Sequence, residues 1–199
     1  MNKGSKKEAI IIAGANGSGK TTFAKKFLNV TNYKFLNADE FAKTISPENP
    51  DKAKIQAGKK VINSLKDIIE EQENFVIEST LSGNFLKKYI TLLKEKSFEV
   101  NLTFIYLGAP HLCIERIKSR VILGGHNVPD EDVKRRYLKG LYKFWTIYKD
   151  LADYYSIVVN NEYFDFKRIA QGSKEKIEIL DTKLYKSFKQ EIIEVNNGI

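Results

Sequence analysis

Gly14-Ala15-Asn16-Gly17-Ser18-Gly19-Lys20-Thr21 matches G-x-x-x-x-G-K-[ST] at every fixed position, and Thr22 extends it. Glycines at these places let the backbone wrap until its N–H groups converge on phosphate oxygens. A helix opening at Lys20 adds roughly half a positive charge at its N-terminus. Lys20 then bridges the outer phosphates of a nucleoside triphosphate, and the Thr21 hydroxyl ligates Mg²⁺. A dinucleotide fingerprint is excluded, because no glycines here have G-x-G-x-x-G spacing.

Two carboxylates could work on a phosphate held there. Asp39, in Asn37-Ala38-Asp39-Glu40, follows a short apolar run eighteen residues after Thr21. It can orient an acceptor hydroxyl and take its proton; as a bland alternative it caps the helix that starts there. Glu78 ends the run Phe75-Val76-Ile77 and is followed by Ser79 and Thr80. It is the candidate for holding substrate, or Mg²⁺ through water; otherwise it is a carboxylate on a turn.

Cationic groups come later in the chain. Arg116 and Arg120 share one helix face, away from the apolar stripe of Ile114, Ile117 and Val121. Gly124-Gly125-His126-Asn127-Val128-Pro129 separates them from Arg135 and Arg136. Helical-wheel arithmetic turns Arg135 outward and leaves Arg136 at the flank of the Val133/Tyr137/Leu141 stripe, able to reach inward. Two arginine-bearing helices joined by a Gly-Gly loop suit a lid over residues 116–136 that closes on bound nucleotide. The alternative is surface ion pairing with Glu115 and Asp132. His126 either donates to a phosphate or substrate oxygen or satisfies backbone groups in its loop, and His111 reads as structural.

These residues need a scaffold. Ala9–Ala13, Tyr33–Asn37, Phe75–Ile77, Val100–Leu107 and Ser156–Val159 read as five strands. Helical periodicity covers Lys20–Leu28, Asp51–Glu71, Phe85–Leu93, Pro110–Val121, a run from Val133 to Leu151, and a closing helix over Lys174–Val195. This alternation predicts an α/β fold, a three-layer sandwich around a mostly parallel five-stranded sheet covered on both faces. Ligands of such sheets sit beyond the carboxyl ends of the strands. The 199 residues suit one domain.

Composition narrows the partners. A formal net charge of +8 favours anionic ligands, although the lysines are scattered as on any solvated surface. No apolar run approaches the roughly 20 residues of a membrane span. The N-terminal apolar run is too short for a signal peptide. A single cysteine, Cys113, excludes an internal disulfide framework and fits a reducing compartment. A cytoplasmic protein is expected. Among nucleotide-binding classes, a GTPase is excluded by the lack of N-K-x-D and D-x-x-G strings. The Leu81-Ser82-Gly83-Asn84 string lacks the second glycine and the following Asp-Glu strand of a transporter ATPase.

The ordered set of GANGSGKTT, NADE, IEST, IERIKSRV and GGHNVP followed by RRY resembles the zeta-toxin family of P-loop kinases over nearly the whole chain. Val158-Val159-Asn160-Asn161 with Ile169–Gly172 resembles that family's late strand and turn, which places Asn161 near the adenine. The resemblance implies ATP- and Mg²⁺-dependent phosphorylation of a sugar hydroxyl of UDP-N-acetylglucosamine, restrained by a small antitoxin protein. It implies Lys20 and Thr21 on the phosphates and Mg²⁺, Asp39 as base, Glu78 and Thr80 beside the sugar nucleotide, and Arg116 and Arg120 around the transferring phosphate. His126 stands where toxins of established activity carry an arginine. Two other readings stay open: a polynucleotide or nucleoside kinase, which the missing aromatic-basic platform disfavours, and a non-catalytic ATP-binding module.

Overall fold

The computed structural model describes residues 6–160 and 165–197. Asn161, assigned above to the adenine side, lies outside the described residues. Strand β1 (Glu8–Ala13) leads into the glycine loop and then helix α1 (Lys20–Leu28). β2 (Lys34–Leu36), α2 (Ala38–Ile45), a 3₁₀ turn (Pro50–Ala53) and α3 (Lys54–Glu71) follow, then β3 (Phe75–Ser79), α4 (Phe85–Glu95) and β4 (Glu99–Tyr106). The second half contains α5 (Pro110–Ile122) and α6 (Asp130–Lys143), which runs through a π turn (Phe144–Tyr148) into α7 (Lys149–Leu151). It ends with β5 (Tyr154–Asn160), β6 (Phe166–Gly172), β7 (Ile177–Ile179) and α8 (Thr182–Asn197).

The strands form one sheet in the order β2-β3-β1-β4-β5-β6-β7. The pairs among β2, β3, β1, β4 and β5 are parallel, and β6 and β7 add on as antiparallel strands. The sheet thus has seven strands where five were expected, and the closing helix starts at Thr182 instead of Lys174. Both differences have one cause. β7 is the edge strand and its residues Ile177–Ile179 are exposed, while β6 beside it buries only Ile169 and Ala170, so neither carries a continuous buried apolar run. Antiparallel edge strands need no apolar second face.

β1 is buried on both sides, as its continuous apolar run requires. Ala9, Ile11 and Ala13 join a core with Leu65 of α3, Ile90 of α4, Ile117 of α5, Leu141 of α6 and Phe188 of α8. Ile12 packs on the other side with Val76, Ile105 and Ala24 of α1. Helix α1 covers only part of this second face. Past α1 the sheet presents Asn101, Thr103, Ser156 and Gln171 to a cavity of about 730 Å³. Ser156 Oγ donates to Thr103 Oγ1 across 3.1 Å, so the hydroxyls on this face are mutually satisfied without a covering helix.

The stripe predicted from Val133 to Leu151 forms one continuous helical rod. Its π turn (rare, and usually a single-turn insertion) brings both Phe144 and Tyr148 inward. Phe144 stacks on Phe104 with ring centroids 4.3 Å apart. The Tyr148 hydroxyl donates to Gly83 O at 2.9 Å, and Lys143 Nζ donates to Ser82 O at 2.9 Å, so the rod clamps the loop after β3. Gly140 makes this contact possible, because a Cβ there would lie 2.3 Å from Thr80 O. Gly140→Ala is therefore expected to lower stability by about 1–3 kcal/mol through forced backbone displacement. Thermal unfolding of the variant checks this; an unchanged or higher Tm would remove the clamp from the account.

Candidate active site

The glycine loop leaves β1 at the carboxyl edge of the sheet. Gly14 N donates to Ser79 O at 3.1 Å, which ties the loop to the end of β3. Gly14, Gly17 and Gly19 take φ values of 143°, 82° and 96°, which L side chains rarely adopt. Space is equally restrictive: a Cβ on Gly17 would lie 2.4 Å from Cys113 O. The loop is thus wedged between β3 and the start of α5. Burial pushes the Cys113 thiol up to about 12, so this side chain is a packed, protonated group and no nucleophile.

Lys20 opens α1 and folds back, its Nζ donating to Ala15 O at 2.8 Å. Burial lowers its pKa, while the nearby carboxylates of Glu78 and Asp39 act in the opposite direction. Glu78 sits on β3 beside it, and the Thr21 hydroxyl donates to its Oε2 at 3.1 Å. Burial raises the Glu78 pKa against the pull of the Lys20 ammonium and the Thr21 hydroxyl. Its other oxygen, Oε1, is buried and accepts no hydrogen bond. A hydroxyl and a carboxylate with a spare oxygen suit Mg²⁺, which keeps several waters and takes few protein ligands beside phosphate oxygens. Among the described residues no three His, Cys, Asp or Glu side chains cluster as a metal site.

Asp39 lies in the first turn of α2 and is exposed. It does not cap the helix. Asn37 does, its Oδ1 accepting from Asp39 N at 2.8 Å and Glu40 N at 3.2 Å. The Asp39 carboxylate is left free of the capping role, and it faces a cavity of about 380 Å³. Lys20, Glu78, Thr80, Asn16 and Arg136 line the same cavity, with Val61, Ile62 and Phe85 as its apolar wall. Arg136 turns inward from α6, its Nη1 donating to Asn16 Oδ1 at 3.1 Å, whereas Arg135 pairs outside with Asp132 at 2.7 Å. The Thr80 hydroxyl shares a hydrogen bond with Ser82 Oγ at 2.8 Å.

The remaining predicted residues do not line this cavity, although Arg120 is near enough to Lys20 for its charge to lower the lysine pKa. Arg116 lies toward the end of β5, its Nη2 3.5 Å from Asn160 O. Arg120 folds onto the loop after its own helix and donates to His126 O at 2.6 Å. The His126 ring points to Asp51, with Nε2 3.2 Å from Oδ1, so it connects the loop to the 3₁₀ turn before α3 and not to the phosphate cradle. Thr22 is exposed on α1. Two residues at the site escaped the sequence reading. Asn37 had a legible signal, since Asn followed three residues later by Glu is a capping pattern. Asn160 had none, because its partner is the Ser18 carbonyl 142 positions away.

The strand order, the glycine loop on the central strand and the adjoining lysine–carboxylate cavity define a P-loop kinase fold. A profile of the Zeta toxin family matches residues 1–168, and the chain belongs to that family. Solved structures with a similar fold include the AvrRxo1-ORF1:AvrRxo1-ORF2 complex, at TM-score 0.71 and 15% identity over 93% of this chain. The chain covers 64% of that protein's chain, just under two thirds. A structure from the PezAT toxin–antitoxin system of Streptococcus pneumoniae matches 98% of this chain and 91% of its own, at TM-score 0.66 and 19% identity. A cytidylate kinase of Saccharolobus islandicus is 27% identical over 174 residues, 81% of this chain and 86% of that protein.

Asn37→Ala is expected to cost about 1 kcal/mol through loss of the cap, while Asn37→Ser preserves it. Chemical denaturation of the two variants checks the order. Equal stability of the alanine and serine forms would show that α2, and with it Asp39, is positioned by something else.

Proposed function

We propose that the protein is an ATP- and Mg²⁺-dependent kinase of zeta-toxin type, which transfers a γ-phosphate to a sugar hydroxyl of a UDP-N-acetylglucosamine-like sugar nucleotide. The observation that carries this reading is the shared cavity, where Asp39 and Arg136 face the phosphate lysine across a space with an apolar wall. The glycine loop and Lys20 hold the triphosphate, and Thr21 with Glu78 would hold Mg²⁺. The cation supplies charge neutralisation on the phosphate oxygens. Asp39 accepts the proton of the acceptor hydroxyl while its oxygen attacks the γ-phosphorus and ADP departs. Arg136, and Arg116 and Arg120 when the segment 116–136 closes, offset the charge that develops on the transferring group. Membership of the Zeta toxin family supports a small antitoxin protein as partner. No helix among the described residues is long and apolar enough to cross a membrane.

A second reading, transfer to a nucleoside or nucleotide, is favoured by the likeness to cytidylate kinase. Purified protein with Mg²⁺ and γ-³²P-ATP is expected to label UDP-N-acetylglucosamine or a related sugar nucleotide. Label on a nucleoside monophosphate or an oligonucleotide instead would select the second reading. Asp39→Asn is expected to bind ATP nearly as before and lose turnover by roughly 10²–10⁴-fold, whereas Lys20→Ala weakens both. Full turnover in Asp39→Asn would return Asp39 to a surface role. A protein that binds ATP and transfers nothing would be a regulatory module.

A further inference from the structure

Asn160 ends β5 with its side chain only 1% exposed, as is that of Ser18 in the glycine loop. Its amide Nδ2 donates to the Ser18 carbonyl at 2.7 Å, in a wholly buried hydrogen bond. Gly19 is the only residue type that fits beside this bond, since a Cβ there would lie 2.4 Å from Asn160 Nδ2. The hydroxyl of Ser18 and the Oδ1 of Asn160 are buried and accept no hydrogen bond. A contact that leaves two polar atoms unsatisfied costs stability. Fold alone therefore gives little reason for it.

The consequence lies in the peptide between Ser18 and Gly19. A trans peptide carries its C=O and N–H on opposite sides. Fixing the Ser18 carbonyl on Asn160 turns the Gly19 N–H the other way and keeps the carbonyl dipole away from any anion in the loop. We propose that Asn160 is a positioning residue for the phosphate cradle: its amide sets the Ser18–Gly19 peptide so that Gly19 N–H faces the outer phosphates of a nucleoside triphosphate. The same residue offers its main-chain oxygen to Arg116 at 3.5 Å, so the cradle and the first lid arginine share one anchor. This rests on the kinase reading only in requiring that the loop bind a nucleotide, and it does not depend on the acceptor.

Asn160→Asp is nearly isosteric, removes the donor and sets a carboxylate against the Ser18 carbonyl. Asn160→Ser replaces the amide with a hydroxyl one bond shorter, which withdraws the donor from the Ser18 carbonyl without adding charge. Dissociation constants are measured for ATP and, by NMR titration, for AMP, which lacks the outer phosphates. ATP affinity is expected to fall roughly tenfold or more in Asn160→Ser and further in Asn160→Asp, while AMP affinity changes less than about twofold. The serine variant alone decides the question if the aspartate variant does not fold. Equal losses for ATP and AMP would make Asn160 a structural or base-side residue and overturn the proposal, as would unchanged ATP binding. Wild-type protein that bound no ATP would instead overturn the kinase reading itself.

Discussion

The placement of one ammonium group governs the site. Lys20 is folded back against Ala15 O at the edge of the cavity, and burial lowers its pKa. Such a charge persists only with compensation close by. Glu78 provides it from β3 and Asp39 from the first turn of α2, just past the neighbouring strand β2. Each of them answers to a second constraint: Glu78 accepts from Thr21, and Asp39 is set by the Asn37 cap. A triphosphate entering this arrangement meets a lysine already oriented, with counter-charges that can be shared with a divalent cation.

The neighbouring elements keep that arrangement in place. β1 is buried on both faces and cannot slide, so the loop leaves it at a fixed level. Glycine is required where the loop meets its neighbours, at Gly17 against the Cys113 backbone and at Gly19 against the Asn160 side chain. The cavity beside it is built differently, with a lining that combines residues of α2, α3 and α6 with Thr80 and Phe85. The glycine loop is thus tied into the sheet, whereas the cavity draws its walls from several separate helices.

Much of this was legible in the sequence, for a physical reason. The glycine loop, Lys20, Thr21 and the buried central strands are local patterns, and local patterns are what spacing reports. Arg136 was placed inward by helix arithmetic alone, and the structure finds it on Asn16. The misses all involve distance along the chain or exposure. The exposed strand Ile177–Ile179 has no apolar signature. Asn160 and Ser18 are joined across 142 positions. His126 was weighed as a phosphate or substrate donor, yet its partner Asp51 belongs to a different segment, and nothing in GGHNVP announces it.

The wedge between Gly17 and Cys113 also fixes where motion can occur. A helix whose opening turn touches the phosphate loop through bare backbone has no slack at that end. Cys113 and Ile117 are buried in the same core as β1, which anchors α5 from its start through its second turn. Any closing movement must then pivot farther along, where Ile122 and Leu123 are exposed and Gly124 adopts a φ of 80°. Both arginines of α5 lie before that point, on the anchored arm: Arg116 beside the buried Ile117, and Arg120 one turn later, where its bond to the His126 carbonyl ties down the loop that follows.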